Sequence, residues 1–141
     1  MKCFLDTSVL VAACWTGHTG HEPSLELVAA ATRESWAGGI HALAEMYATL
    51  TALPVRPAVS PEQAVQLVQE AERRLTTIAL SPVEYLNVIR HAGAAGARSG
   101  MVCDALLLQC ARKFDARRIY TWNQKHFQRL APDLANRIRT P

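Results

Sequence analysis

A three-layer α/β/α fold around a central, mainly parallel sheet of four or five strands is what this sequence predicts. Three observations carry that prediction. Short apolar runs alternate with longer segments of helical periodicity along the whole chain. The first run, Met1-Lys2-Cys3-Phe4-Leu5-Asp6-Thr7-Ser8-Val9-Leu10-Val11, has the continuous apolar character of a strand buried on both faces. Two stretches, Ser60-Pro61-Glu62 and Ser81-Pro82-Val83-Glu84, mark helix starts, with Ser as N-cap and Pro at the first helical position.

The elements follow in order. The first strand ends at Asp6, and ligands of open parallel sheets bind outside the carboxyl ends of strands. Thr16-Gly17-His18-Thr19-Gly20-His21-Glu22-Pro23 is rich in breakers and reads as a solvated loop. Its Gly and Pro keep His18, His21 and Glu22 from converging as helical metal ligands would. Ser24 is expected to cap a helix reaching about Glu34, with Leu25, Leu27, Val28 and Ala31 as its stripe. Trp36 to Ile40 is a short second strand. A helix from His41 to about Leu53 stops at Pro54. Leu43, Met46, Tyr47 and Leu50 lie on one side and mainly alanines on the other, so burial nearly all round is expected. A Pro-rich connection, Val55 to Val59, precedes a helix from Ser60 to about Arg74, whose charges form a solvated face. Thr76 to Leu80 is a third strand, and the helix opened by Ser81 ends in Gly93-Ala94-Ala95-Gly96. Another helix covers Met101 to Phe114. Arg118 to Trp122 is a fourth strand, Gln124 to Leu130 a short helix, and Asn136 to Arg139 a last short strand.

Composition bounds the function. The 141 residues, 50% hydrophobic, suit one domain over 1–141 with a real core. The net charge of +3 permits an anionic partner such as RNA without requiring one. Cys3, Cys14, Cys103 and Cys110 contain no Cys-x-x-Cys pair and read as free thiols in a reducing cytoplasm. No apolar run approaches the roughly 18 residues of a membrane span, so no membrane partner is expected. Val11-Ala12-Ala13-Cys14 has the look of a lipoprotein cleavage site, but Asp6 interrupts the hydrophobic segment that such a signal needs.

Charged residues make up only 19% of the chain, so solitary charges inside apolar stretches are informative. Asp6, Glu45 and Asp104 are three such carboxylates, Asp6 with no lysine or arginine two residues away along its strand and the other two with none three or four residues away along their helices. Burying them separately is costly, and burying them together without a cation is worse. A shared hard divalent ion, Mg²⁺ or Mn²⁺, resolves the conflict. Each also has a structural alternative to meet. Asp6 could end its strand in an Asx-turn to Ser8, and Asp104 could cap the helix it opens. Glu45, in mid-helix, caps nothing.

Four segments carry a resemblance. Phe4-Leu5-Asp6-Thr7-Ser8-Val9-Leu10, His41-Ala42-Leu43-Ala44-Glu45-Met46-Tyr47, Cys103-Asp104-Ala105-Leu106 and Tyr120-Thr121-Trp122-Asn123 resemble, in order and spacing, the four motifs of PIN-domain ribonucleases. The compact length is similar to VapC-type toxins of bacterial toxin–antitoxin pairs. The resemblance implies a five-stranded parallel sheet with Asp6, Glu45 and Asp104 as ligands of Mg²⁺ or Mn²⁺ at its carboxyl end. It further implies cleavage of single-stranded RNA, a small antitoxin protein as partner, and a homodimer. Asn123 completes the candidate catalytic set. Many family members have an acid there; the neutral amide adds no charge, so one divalent ion is expected on the RNA-free chain. Asp115 cannot substitute, because eleven residues of helix place it about 16 Å from Asp104.

Hydrolysis would then be metal-assisted. Thr7, Ser8 and Thr121 are candidates to hydrogen-bond a ligand carboxylate. Arg98, Arg112, Arg118 and Lys125 are weaker candidates for RNA phosphate contacts. A haloacid-dehalogenase-type phosphatase would need a second Asp where Ser8 stands, and a dinucleotide site would need a Gly-rich turn where Val9-Leu10-Val11-Ala12 stands. The alternative that keeps the fold is a non-catalytic PIN-like protein that binds RNA or a partner.

Overall fold

The sheet expected from the alternation of elements is present. A computed structural model, which describes residues 1–141, contains five strands. They are β1 (Cys3–Leu5), β2 (Trp36–Gly39), β3 (Thr76–Ile78), β4 (Arg118–Tyr120) and β5 (Ile138–Arg139). All pair in parallel, in the order β3-β2-β1-β4-β5. Cys3, Phe4 and Leu5 stand opposite Arg118, Ile119 and Tyr120, which places β1 in the centre, buried throughout.

Seven helices connect the strands: α1 (Thr7–Cys14), α2 (His21–Ala30), α3 (Ile40–Ala52), α4 (Pro61–Arg74), α5 (Pro82–Ala94), α6 (Met101–Lys113) and α7 (Gln124–Leu130). The chain steps outward from β1 through β2 to β3, then returns across the sheet to β4 and β5. Right-handed crossovers in these two directions place α1–α4 on one face and α5–α7 on the other. The direction of winding therefore reverses at β1, and the crevice that such a reversal opens lies at the carboxyl end of that strand. Asp6 is the next residue.

Phe4, Leu5, Val9, Leu10, Met46, Leu50, Leu107, Ile119 and Phe127 form much of the central core. Gly39 permits one close approach: a Cβ there would stand 2.6 Å from Leu107 Cδ2, so the missing side chain lets α6 lie against β2. The serine-led helix starts form as expected. Ser60 and Ser81 accept hydrogen bonds from the backbone of Gln63 and Glu84, whose side chains bond back to the Ser60 and Ser81 N–H groups.

Two expectations need correction, and one helix is additional. The first strand ends before Asp6 as expected, but Thr7–Cys14, for which the sequence predicts no element, is a helix whose Val9 to Ala13 are all buried. The second helix starts at His21 with Gly20 as N-cap, so Ser24 is not its cap and the segment from His21 to Pro23 is not loop. Helix α3 buries Ala42, Met46 and Leu50 but leaves Ala44, Tyr47, Ala48 and Thr49 exposed, because nothing packs on that side.

Candidate functional site

Asp6 sits between β1 and α1 with extended backbone, φ −78° and ψ 159°, and is the N-cap of α1. Its side chain, 1% exposed, accepts from the Ser8 N–H at 3.4 Å, the Ser8 hydroxyl at 2.7 Å and the Thr121 hydroxyl at 2.8 Å. All three bonds converge on Oδ2, leaving Oδ1 outside the set. Ser8 Oγ accepts the Trp122 N–H at 3.0 Å and Thr121 Oγ1 accepts the Asn123 N–H at 3.0 Å, which anchors both hydroxyls to the backbone of the fourth motif. The two hydroxyls also lie 3.4 Å from each other, and the carboxylate, with the shorter contacts, is the better acceptor for each proton. The Asx-turn to Ser8 thus exists, and it orients the carboxylate as well as capping the helix.

Glu45 reaches the same cleft from α3, and the Thr7 hydroxyl donates to its Oε1 at 3.2 Å. Asp104 comes from the first turn of α6. That helix is capped by Gly100, so the capping role considered for Asp104 is not the one it has. Asn123 lies at the amino end of α7 and makes no side-chain capping bond. Asp6, Thr7, Ser8, Glu45, Asp104 and Asn123 line one cleft of about 340 Å³. The sheet topology brings these motif residues together because α1, α3, α6 and α7 all begin at or near the same edge of the sheet.

No lysine or arginine lines this cleft. Burial, then Asp6, then Glu45 push the Asp104 carboxyl up to about 7. Burial raises Glu45 too, against the opposing pull of His41 and Thr7, and Asp6 adds to the rise. Burial raises Asp6 despite its hydrogen bonds to Ser8 and Thr121. The three groups are one electrostatic cluster with an unmet demand for positive charge. Carboxylate and amide oxygens are the donors of a hard divalent cation, and this set fits one.

The basic candidates divide. Lys125 lines a depression that shares Asn123 with the acidic cleft, and Arg98 lies exposed in the turn leading into α6. Arg112 and Arg118 are not brought to the cleft. Arg112 is held in an ion pair with Asp133, and Arg118 stands at the amino end of β4, opposite Cys3. Asp115 is equally remote from Asp104, at a positive-φ turn beyond α6 where it faces Arg117 and Arg137.

Sequence reasoning missed the aromatic wall. Trp15 and His18 line the cleft; their rings meet edge to face at 5.8 Å, and His18 packs against Trp122 at 5.7 Å. His18 Nδ1 accepts the Gly20 N–H at 2.8 Å, so the breaker-rich segment is a built turn. Trp122 lies over Gly20 and donates from Nε1 to the buried Ser24 hydroxyl at 2.9 Å. His126 also approaches the cluster, 3.9 Å from Asp104 Oδ2. Another groove, of about 520 Å³, lies elsewhere, between α5 and α6. Its one carboxylate, Glu84, is paired with Lys113, so it offers no comparable chemistry.

Comparison with known proteins agrees with this fold. A family model described as PIN domain matches residues 3–132. VapC20 from Mycobacterium tuberculosis, a toxin that cleaves the sarcin–ricin loop, superposes with a TM-score of 0.71 at 17% identity, over 89% of this chain and 92% of that one. VapBC2 from Rickettsia felis, solved bound to a DNA fragment from its promoter, gives a TM-score of 0.61 at 23% identity, over 92% of each chain. No curated protein sequence matches. No helix is long and apolar enough to cross a membrane, and all four cysteines are free.

Proposed function

This chain belongs to the PIN-domain family, and we propose that it is a metal-dependent endoribonuclease that hydrolyses phosphodiester bonds in single-stranded RNA. The observation that carries the reading is the convergence of Asp6, Glu45 and Asp104, with Asn123, on one cleft lined by no lysine or arginine. Asp6, Glu45 and Asp104 would hold Mg²⁺ or Mn²⁺. When bound, such an ion supplies an activated water and neutralises phosphate charge.

The remaining work falls to the chain itself. Ser8 and Thr121 fix the Asp6 carboxylate, and Thr7 orients Glu45. Asn123 offers an uncharged amide to a water, a ligand carboxylate or the substrate. Trp15 presents an aromatic surface at the cleft wall, suited to stacking an unpaired base, which is how proteins commonly engage single-stranded RNA. Lys125 and Arg98 are placed to meet phosphates of the flanking strand.

The compact fold and its likeness to VapC20 and VapBC2 support a narrower reading, that the chain is the toxin of a type II toxin–antitoxin pair. It would then have a small antitoxin protein as partner, act in the cytoplasm and form a homodimer. RNA cleavage by the wild type beside Asp6→Ala, in Mg²⁺ and in EDTA, tests the activity. Cleavage that survives either the substitution or EDTA would overturn it, and RNA binding without any cleavage would favour a non-catalytic PIN-like protein.

A further inference from the structure

A second donor set adjoins the oxygen-rich cluster and differs from it in chemistry. His41 and Glu45 stand one turn apart on α3, and Cys103 precedes Asp104 in the first turn of α6. One ligand atom from each of His41, Glu45 and Cys103 lies within 4.8 Å of the other two. His41 Nε2 is 3.7 Å from Glu45 Oε1, too long for a good hydrogen bond. It is close to the ligand–ligand spacing of tetrahedral zinc, roughly 3.4–3.7 Å for bonds of about 2.1 Å to N and O and about 2.3 Å to S. A second observation points to the same place. His41 Nε2 is a buried side-chain polar atom without a hydrogen-bond partner. Such atoms are ordinarily paired, and a metal ion would pair this one.

We propose that His41, Glu45 and Cys103 bind a borderline-soft divalent ion of the Zn²⁺ type, and that this ion and the hard ion of the acidic cluster exclude one another because both require Glu45. Imidazole nitrogen and thiolate sulfur favour zinc over magnesium. One thiolate and one carboxylate balance its charge, with the Cys103 thiol proton passing to solvent. Three protein ligands leave a fourth position for water, as in zinc sites that stay open. The exclusion rests on the reading of Asp6, Glu45 and Asp104 as a hard-ion site; the zinc site itself does not.

The experiment is a Co²⁺ and Zn²⁺ titration of the full chain, read by the cobalt–thiolate absorption band and by calorimetry. One ion per chain is expected, with the band. Cys103→Ser should abolish the band, and Cys103→Ser and His41→Ala should each weaken Zn²⁺ binding by at least about 100-fold, more than the loss of an outer-shell partner does. Cys14→Ser, a half-buried control on α1, should keep both, with circular dichroism confirming the fold of each variant. Mn²⁺ should bind the Zn²⁺-loaded protein at least about tenfold more weakly than the zinc-free protein, since losing the Glu45 ligand costs no less than losing an outer-shell partner does. A wild type without a thiolate band, or a band that survives Cys103→Ser, overturns the site. Undiminished Mn²⁺ affinity in the zinc-loaded protein overturns the exclusion. If the titrations turn out as expected and no RNA is cut in Mg²⁺, the nuclease reading alone falls.

Discussion

Replacing Asp104 with Asn should stabilise the metal-free protein, and the gain should depend on pH. Burial, Asp6 and Glu45 hold the Asp104 carboxyl at about 7 instead of the ordinary 3.8. At about 1.4 kcal/mol per pH unit, that gap caps the cost of ionising Asp104 in the folded chain at about 4 kcal/mol. Water at the partly exposed side chain and coupling to two other acids reduce the realised value to about 1–3 kcal/mol. The sign follows from proton counts. Between about pH 4 and pH 7 the native state binds a proton that the unfolded state does not, so wild-type stability falls as pH rises through that window. The amide introduced by Asp104→Asn has no such proton to lose. In EDTA at pH 8, Asp104→Asn should therefore unfold at higher urea than wild type, by about 1–3 kcal/mol, or by roughly 3–10 °C in a thermal scan. At pH 4 the two should coincide. Saturating Mg²⁺ should close the pH 8 gap from the other side, because wild type gains more from the ion. Urea unfolding followed by circular dichroism at both pH values, with and without Mg²⁺, measures all of this. An Asp104→Asn variant less stable than wild type at pH 8 in EDTA, or an equal advantage at pH 4 and pH 8, would refute the account of a cluster short of positive charge.

Further predictions concern the same cleft. Asp6→Asn should lower Mg²⁺-dependent RNA cleavage by at least about 100-fold while the far-ultraviolet spectrum stays native, since a ligand charge is removed from a site that depends on it; a smaller loss in a single-turnover gel assay would argue against Asp6 as a ligand. Asn123→Ala should reduce cleavage less than Asp6→Ala does, because a neutral oxygen contributes less than a charged one, and calorimetry on the RNA-free protein should find one tight Mn²⁺ per chain. Two tight ions would overturn that view of Asn123. Gly20→Ala would place a Cβ 2.1 Å from Trp122 Cζ2 and should destabilise the protein by about 1–3 kcal/mol through displacement of the indole, visible as a shift in tryptophan fluorescence. An unshifted spectrum with unchanged stability would show that the indole has room to yield.

How much was legible in the sequence depended on how local the signal was. The starts of α4 and α5 were readable because Ser60-Pro61 and Ser81-Pro82, with Gln63 and Glu84, satisfy their own helix ends within four residues. Ser24 carries the same chemical label, but its hydroxyl is taken by the Trp122 indole from 98 residues away, and no local rule distinguishes the two uses. Helix α1 was missed because Val9 to Ala13 are all buried and an unbroken apolar run has no period to read. Glu45 and Asp104 could be picked out by their isolation, and the order of the sheet then brought them to Asp6. Trp15 and His18 carried no such mark. Their place at the cleft comes from a turn closed by His18 itself, in a stretch whose glycines suggested solvent. The exposed side of α3 shows the reverse error, since alanines on a helix are as compatible with water as with a core.

The hydrogen bond from Thr121 to Asp6 spans 115 positions, and it sets a schedule for synthesis. A ribosome delivers Asp6 early and Thr121 near the end, and at about 5–20 residues per second the interval is roughly 6–23 s. Until β4 emerges and pairs with β1, Asp6 lacks one of its two hydroxyl partners and Asn123 has no place beside it. On the proposed activity, a nascent chain has no complete site to turn on RNA, including the message it is being read from, until nearly all of its length has left the exit tunnel.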